Sequence, residues 1–162
     1  MNKENYIALL NFWDKKQGLL KFAIALSKVA EGAVYAAYPL FILYLLANEN
    51  DFWIKSVLVC GIGFIAVSLA RYFINASRPY EVYGAEPPLK KDTSGKSMPS
   101  RHAFSAAVIA INIGIVFQTL GVVFFLLAII IAFLRVVLGV HFIKDVTVGT
   151  IIGAMVGLIA LI

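Results

Sequence analysis

Three short runs of the 162-residue chain collect its histidines and arginines. The runs cover residues 71–79, 98–102 and 135–145. Both histidines, His102 and His141, lie in these runs, and so do all four arginines. Ionisable groups next to long apolar stretches are costly, so by default they mark a functional site. The three runs are therefore where we expect chemistry.

The arginines predict an anion site. Arg71, Arg78 and Arg135 would repel one another at one place unless an anion lay among them. The planar guanidinium donates hydrogen bonds to phosphate in pairs. The run Pro99–Arg101 predicts the start of a helix, where free N–H groups favour an anion. These residue types point to a phosphoryl group as the ligand.

The two histidines supply the groups that phosphoryl transfer needs, since an imidazole can act as a nucleophile or carry a proton. His141 and Asp145 are four residues apart, which puts them on one helix face if the helix begins early enough. The carboxylate can then hold the ring in one tautomer. Metal ligation is disfavoured, because Asp145 is the only carboxylate in these runs and the arginines would repel a cation. We expect no metal and no cofactor.

Composition indicates the setting of this chemistry. Hydrophobic residues make up 61% of the chain and charged residues 14%, against about 25% charged in a soluble domain. This excludes a disordered chain. It also disfavours a water-soluble globule, because too few polar residues remain to cover its surface. The single cysteine, Cys60, excludes an intrachain disulfide and a thiolate cluster. An integral membrane protein remains.

Stretches free of Asp, Glu, Lys and Arg predict an all-α polytopic bundle with about five spans. A membrane-spanning helix needs roughly 20 apolar residues. Residues 103–134 as one helix would measure about 48 Å, against a hydrocarbon core of about 30 Å. We therefore expect a hairpin there, with its turn at Gln118, Thr119 and Gly121. The predicted spans are 30–47, 53–74, 101–117, 121–139 and 144–162.

The chain is predicted to be one membrane domain, 1–162, with its five-span core at 30–162. Residues 1–29 predict two short interfacial helices; in the alternative, residues 18–47 form one long tilted helix. Five spans place all three runs at one membrane face, and the Pro- and Gly-rich residues 78–101 form a polar loop there. Three lysines of this loop predict a lip that attracts anionic headgroups: Lys90, Lys91 and Lys96.

In order and spacing, the three runs resemble the motifs of the type 2 phosphatidic acid phosphatase superfamily of membrane lipid phosphatases. The motifs of that family read Lys-x6-Arg-Pro, Pro-Ser-Gly-His and Ser-Arg-x5-His-x3-Asp. In this chain they read Arg71-x6-Arg78-Pro79, Pro99-Ser100-Arg101-His102 and Leu134-Arg135-x5-His141-x3-Asp145. The three motifs occur together and in the same order, and the resemblance runs from residue 71 to residue 145.

The resemblance implies a role for each matched residue. His141 would attack phosphorus and form a phosphohistidine, and Asp145 would orient and stabilise it. His102 would protonate the leaving oxygen and then activate water. The residues implied to bind phosphate are Arg71, Arg78, Ser100, Arg101 and Arg135.

The chain departs from the family motifs at three positions. Arg71 replaces Lys and keeps the charge, and Leu134 replaces Ser and removes a hydroxyl. Arg101 replaces Gly; it keeps the N–H, loses easy access to positive φ, and adds a cation suited to a second phosphate. Many bacterial relatives have six spans, and five are predicted here.

Lipid phosphates or diphosphates are the predicted substrates, because a site at headgroup depth meets lipids directly. Undecaprenyl diphosphate is favoured, with phosphatidate and phosphatidylglycerol phosphate as alternatives. A non-catalytic lipid-phosphate binder or translocase is a rival from another class. A vanadate haloperoxidase-like activity is disfavoured because those enzymes are soluble. The lipid bilayer is an expected partner, and nucleic acid is not.

Three glycines of the last predicted span bear on assembly. Gly149, Gly153 and Gly157 lie at four-residue spacing, which allows close helix contact. The spacing favours packing inside the bundle over the alternative, a homodimer seam.

The distribution of lysines bears on orientation in the plasma membrane. Nine lysines lie on the side of the motifs, and Lys55 lies on the other. Because short loops rich in basic residues tend to stay cytoplasmic, this favours a cytoplasmic active site. The resemblance favours the opposite orientation, since six-span relatives that recycle carrier lipids face outward.

Overall fold

In the computed structural model, which describes residues 1–89 and 93–162, the described residues fold mainly into α-helices. The predicted all-α architecture is confirmed. Lys90 and Lys91 of the predicted lip lie outside the described residues. The helices are α1 Lys3–Lys15, α2 Gln17–Ala47, α3 Phe52–Ile74, α4 Pro79–Tyr83, α5 Arg101–Val116, α6 Gln118–Val137 and α7 Ile143–Ile159.

Five of these helices are apolar and correspond in order to the predicted spans. By length and composition, α2, α6 and the segment Phe52–Tyr83, which contains α3, are long enough to cross a membrane. The helices α5 and α7 are also apolar but have 16 and 17 residues, somewhat fewer than the roughly 20 that a span needs. The predicted membrane bundle is therefore present, with three helices of full spanning length among the described residues.

Residues 17–47 form one helix of 31 residues, so the prediction of a second short interfacial helix is wrong and the long-helix alternative is correct. The reason lies in packing. Ala23, Ser27 and Ala30 recur at helical spacing and are buried, and α2 packs against α6 and α5. Both lysines of this half of the helix are exposed. The continuous buried stripe extends the helix through its charged positions.

The predicted hairpin is formed by α5 and α6, with a tighter turn than expected. A single residue, Phe117, joins the two helices. The expected turn residues Gln118, Thr119 and Gly121 lie instead at the start of α6. A Cβ on Gly121 would lie 2.8 Å from the backbone nitrogen of Gly114, so glycine here lets the two helices touch.

The most buried helix is α5, whose residues 103–110 are all buried, and α6 and α7 pack along it. A Cβ on Gly149 of α7 would lie 2.6 Å from the carbonyl oxygen of Ser100, and Gly153 and Gly157 meet α5 just as closely. These glycines therefore pack inside the bundle. The face that they form is in contact with α5.

The short helix α1 holds the end of α6 in place. Its Trp13 Nε1 donates a 2.7 Å hydrogen bond to the carbonyl of Val137, the last residue of α6. The hydroxyl of Tyr6 donates to the carbonyl of Gly139 at 3.3 Å. The last carbonyls of a helix lack intrahelical partners. By supplying partners here, α1 fixes the loop that carries His141.

Candidate active site

A buried imidazole meets a buried carboxylate where α7 begins. Asp145 is 0% exposed and His141 2%. Between them lies the hydroxyl of Ser97, which donates to Oδ2 of Asp145 at 2.5 Å and lies 3.2 Å from Nδ1 of His141. Since the hydroxyl proton is directed at the carboxylate, Nδ1–H of the ring donates to the Ser97 oxygen. This order leaves Nε2 of His141 with its lone pair.

Backbone hydrogen bonds hold Asp145 and His141 in position. Oδ2 of Asp145 accepts a 3.0 Å hydrogen bond from the N–H of Phe142, at the start of α7. The N–H of His141 donates to the carbonyl of Arg135 at 3.2 Å, so the loop after α6 folds back onto that helix. Gly139 makes the reversal at a φ of +74°, a left-handed conformation that glycine adopts readily.

The charge state of His141 follows from its surroundings. Burial lowers the pKa of His141 to about 4. The nearby carboxylate of Asp145 opposes the shift because it favours a protonated ring, whereas the cations Arg78 and Arg71 add to it. The ring is therefore neutral at pH 7, which is the form that carries a nucleophilic lone pair.

Two of the predicted phosphate-binding arginines hold the loop that leads into α5. Nη1 of Arg71 donates to the carbonyls of Pro99 and Ser97, at 2.5 Å and 3.2 Å. Nε of Arg78 donates to the carbonyl of Gly95 at 3.1 Å. Both side chains are 5% exposed. These bonds occupy part of each guanidinium and fix its direction.

A cationic cavity of about 400 Å³ opens beside this loop. It is lined by Arg71, Arg78, Lys96 and Arg101, among others. Arg101 is exposed, and its guanidinium carbon lies 5.8 Å from the ring centre of Phe64. Such a lining suits an anion. The described residues contain no group of three or more His, Cys, Asp or Glu side chains that could hold a metal ion.

Arg135 and His102 line a second cavity, of about 180 Å³. The structure thus places the four predicted arginines on two cavities, with Arg71, Arg78 and Arg101 on the first and Arg135 on the second. Nη2 of Arg135 is paired with the carboxylate of Glu31. Its Nε is buried and has no hydrogen-bond partner among the described residues.

Ser100 joins the two helices that carry the histidine motifs. Its N–H donates to the carbonyl of Asp145 at 2.9 Å, which fastens the start of α5 to the start of α7. Its hydroxyl is buried without a hydrogen-bond partner in residues 1–89 and 93–162. Arg101 is the first residue of α5, so its N–H belongs to the helix start. The Ser100 hydroxyl and Nε of Arg135 are buried donors suited to a ligand.

Sequence reasoning missed two side chains of this site, Ser97 and Glu31. Ser97 lies just before the second motif, but its partner Asp145 is 48 residues further along the chain. Glu31 is a lone carboxylate within the apolar helix α2. An ionisable residue inside a membrane span is itself a signal of function, and that signal was available in the sequence.

Comparison with known proteins agrees with this geometry. The sequence profile of the PAP2 superfamily matches residues 51–162, which include all three runs. Among solved structures, LpxE from Aquifex aeolicus is similar with a TM-score of 0.72 and 26% identity, over 88% of this chain and 85% of that one. No match was found among curated protein sequences.

A second solved structure has the same fold. It is a transmembrane PAP2 type phosphatidylglycerolphosphate phosphatase from Bacillus subtilis, with a TM-score of 0.58. It is 21% identical, over 96% of this chain and 94% of that one. At this identity the likeness indicates the fold alone.

Proposed function

We propose that this chain, which belongs to the PAP2 superfamily, hydrolyses lipid phosphates without a metal ion and through a phosphohistidine intermediate. As a member of that family the chain is a lipid phosphate phosphatase, and its apolar helices make it a multi-pass membrane protein. The observation that carries the proposed mechanism is the chain of hydrogen bonds from His141 through Ser97 to Asp145.

In the first step, Nε2 of His141 attacks phosphorus and the bond from phosphorus to the leaving oxygen breaks. The neutral ring, with its proton on Nδ1, presents the lone pair that this attack needs. As the N–P bond forms, the ring becomes positively charged, and the Asp145 carboxylate stabilises it through Ser97. His102 gives the leaving oxygen its proton.

In the second step, water attacks the phosphorus of the phosphohistidine. His102 takes the proton of that water, and the N–P bond breaks. This restores neutral His141 and releases inorganic phosphate. The protein contributes mainly positioning and charge stabilisation to this step.

The cationic groups of the site stabilise the phosphoryl oxygens in both steps. Arg71, Arg78 and Arg135 supply the positive charge that divalent ions supply in other phosphoryl-transfer sites. The buried Ser100 hydroxyl, which has no partner among the described residues, would donate to an oxygen. The N–H of Arg101 at the helix start would do the same.

Undecaprenyl diphosphate is the substrate that we favour. Arg101 and Lys96 add positive charge to the cavity of Arg71 and Arg78, beyond what a single phosphoryl group needs. Phosphatidate and phosphatidylglycerol phosphate are the alternatives. The second of these is the substrate named for the Bacillus subtilis relative. A non-catalytic binder or translocase has no need of the hydrogen bonds from His141 through Ser97 to Asp145. Their presence argues against that alternative.

Phosphate release from a panel of lipid phosphates tests the proposal. Purified protein in detergent micelles receives undecaprenyl diphosphate, phosphatidate or phosphatidylglycerol phosphate, with either EDTA or Mg²⁺. We expect release that EDTA does not reduce and that orthovanadate inhibits by occupying the arginine site. A strict requirement for Mg²⁺ would contradict the mechanism.

The phosphohistidine is tested by trapping it. Substrate labelled with ³²P in the transferred phosphate should leave an acid-labile label on the wild-type protein after a rapid quench. His141→Gln should carry no label and release no more than a trace of phosphate, while its circular dichroism stays that of the wild type. A folded His141→Gln protein that turns over would show that another group is the nucleophile.

A further inference from the structure

Glu31 reaches the site from α2, a helix that carries none of the three motif runs. Its side chain is 16% exposed and lines the cavity of His102 and Arg135. A carboxylate inside a site for phosphate is unexpected, because two anions repel each other. Its contacts show what it does there.

One carboxylate connects the second and third motifs. Oε1 of Glu31 pairs with Nη2 of Arg135 and accepts a 2.9 Å hydrogen bond from the Ser27 hydroxyl, one helical turn before it. Oε2 lies 3.8 Å from Nε2 of His102. The Ser27 bond fixes the carboxylate on α2, and the carboxylate in turn fixes the Arg135 guanidinium. Lys28 is the other charged side chain that lines this cavity.

The pairing leaves Arg135 only partly available to an anion. Its Nη2 is occupied by Glu31, whereas its Nε is buried and has no partner among the described residues. A phosphoryl oxygen can therefore bind Nε while Nη2 remains held. The Glu31 charge meanwhile offsets part of the attraction between Arg135 and phosphate, at short range and with little solvent screening.

We propose that Glu31 is a positioning residue that holds the Arg135 guanidinium and, by sharing its charge, limits how tightly the site retains inorganic phosphate. The inference rests on the proposed function, in which phosphate is the product that must leave. Guanidinium groups beside a dianion would otherwise bind product strongly, and product release limits the turnover of many enzymes. Glu31 keeps Arg135 in place for the reaction and weakens its hold on the product afterwards.

Glu31→Gln tests this because glutamine has nearly the size of glutamate and still offers an oxygen acceptor, but it carries no charge. Inorganic phosphate and orthovanadate are the probes, and the readouts are their inhibition constants and the rise in Tm that each produces. We expect both anions to bind about tenfold more tightly, with kcat reduced. Glu4→Gln, the same charge change at an exposed position of α1, should leave both constants within about twofold.

Two further variants distinguish an effect of the Glu31 charge from a purely structural effect of the substitution. Glu31→Asp keeps the charge and should keep the anion affinity close to that of the wild type. In an Arg135→Gln background, Glu31→Gln should no longer tighten anion binding, since the effect passes through Arg135. If Glu31→Gln does not fold, Glu31→Leu removes the same charge in an apolar helix and must also tighten binding.

Unchanged or weaker anion binding in folded Glu31→Gln would overturn the inference, because a merely structural role predicts that loss of the contact weakens the site. If Glu31→Asp tightened anion binding as much as Glu31→Gln does, the inference would be overturned as well. The proposed function fails separately, by an absence of phosphate release from every lipid of the panel. The rise in Tm with phosphate or orthovanadate does not depend on turnover, so the two failures are distinguishable.

Discussion

Nδ1 of His141 and Oδ2 of Asp145 lie 3.6 Å apart, so the predicted nucleophile and its carboxylate are not directly hydrogen-bonded. The hydroxyl of Ser97 fills the gap, 3.2 Å from the ring and 2.5 Å from the carboxylate. The hydrogen-bonded link between the ring and the carboxylate therefore runs through Ser97, a residue outside the family motifs.

Ser97→Ala should lower kcat by about 10- to 100-fold, because removing one buried hydrogen-bond link costs about 1–3 kcal/mol and leaves the Nδ1 proton without its acceptor. The measurement is kcat with a lipid phosphate that the wild type hydrolyses. Ser56→Ala is the matched control, since Ser56 is equally buried at the other end of the bundle, near Tyr38. Equal activity of the two variants would mean that Ser97 is not part of the mechanism.

The titration of His141 should have its midpoint at about pH 4, far below the value of about 6.5 for a free imidazole. Burial disfavours the charged ring, so the neutral, nucleophilic form persists as the pH falls and is lost only near pH 4. His102→Gln leaves His141 as the only histidine of the chain, and the NMR shifts of its ring carbons then report the midpoint directly.

The same variant unfolded in denaturant is the control for this titration, and its midpoint should return to about 6.5. A midpoint near 6.5 in the folded protein would show that the ring is solvated and that burial does not lower its pKa.

Gly149→Ala should destabilise the protein by about 1–3 kcal/mol, because its Cβ would meet the carbonyl oxygen of Ser100 at 2.6 Å. It should also lower kcat, since this contact sets the distance between the two histidine motifs. Gly61→Ala is the control: nothing lies within 4 Å of a Cβ there, so the better helix propensity of alanine should leave stability equal or slightly higher. Thermal unfolding in detergent measures both.

If Gly149→Ala is tolerated as well as Gly61→Ala, the close contact between α5 and α7 is not rigid. A change in the oligomeric state of Gly149→Ala without loss of stability would instead favour the dimer seam over packing inside the bundle.

The order of the spans and the placement of the motifs could be predicted because both depend on local signals. Charge-free stretches mark the membrane helices, and a hairpin of α5 and α6 necessarily returns His141 to the side of His102. The sequence pattern alone could not distinguish the long helix α2 from a short interfacial helix followed by a separate span at 30–47. The decisive factor was burial of Ala23, Ser27 and Ala30 in the bundle, which is a property of the packed structure.

The contacts that complete the site could not be predicted, because they join residues far apart in sequence. Glu31 and Arg135 are 104 residues apart, and Ser97 and His141 are 44 apart. Serine and glutamate are common residues with many roles. The position of Glu31 inside an apolar helix marks it as a functional residue, but the local sequence does not show that Arg135 is its partner or that Ser97 meets His141.

The side of the membrane that the active site faces is open to a direct test. Lys55 lies at the start of α3, beside the turn that holds Glu49 and Asp51. In sequence, the remaining nine lysines fall before residue 30, between the first two motif runs or in the third run. The tendency of basic loops to stay cytoplasmic predicts an active site that faces the cytoplasm.

Cysteine labelling in intact cells measures this orientation. Cys60 is the only cysteine and is buried, so Cys60→Ala provides the background. Ser94→Cys places an exposed thiol in the loop before α5, and Asp51→Cys places one in the turn after α2. With a membrane-impermeant maleimide, we expect labelling of Asp51→Cys in intact cells and of Ser94→Cys only after permeabilisation. The reverse pattern would put the active site on the outer face and contradict the prediction from the lysine distribution.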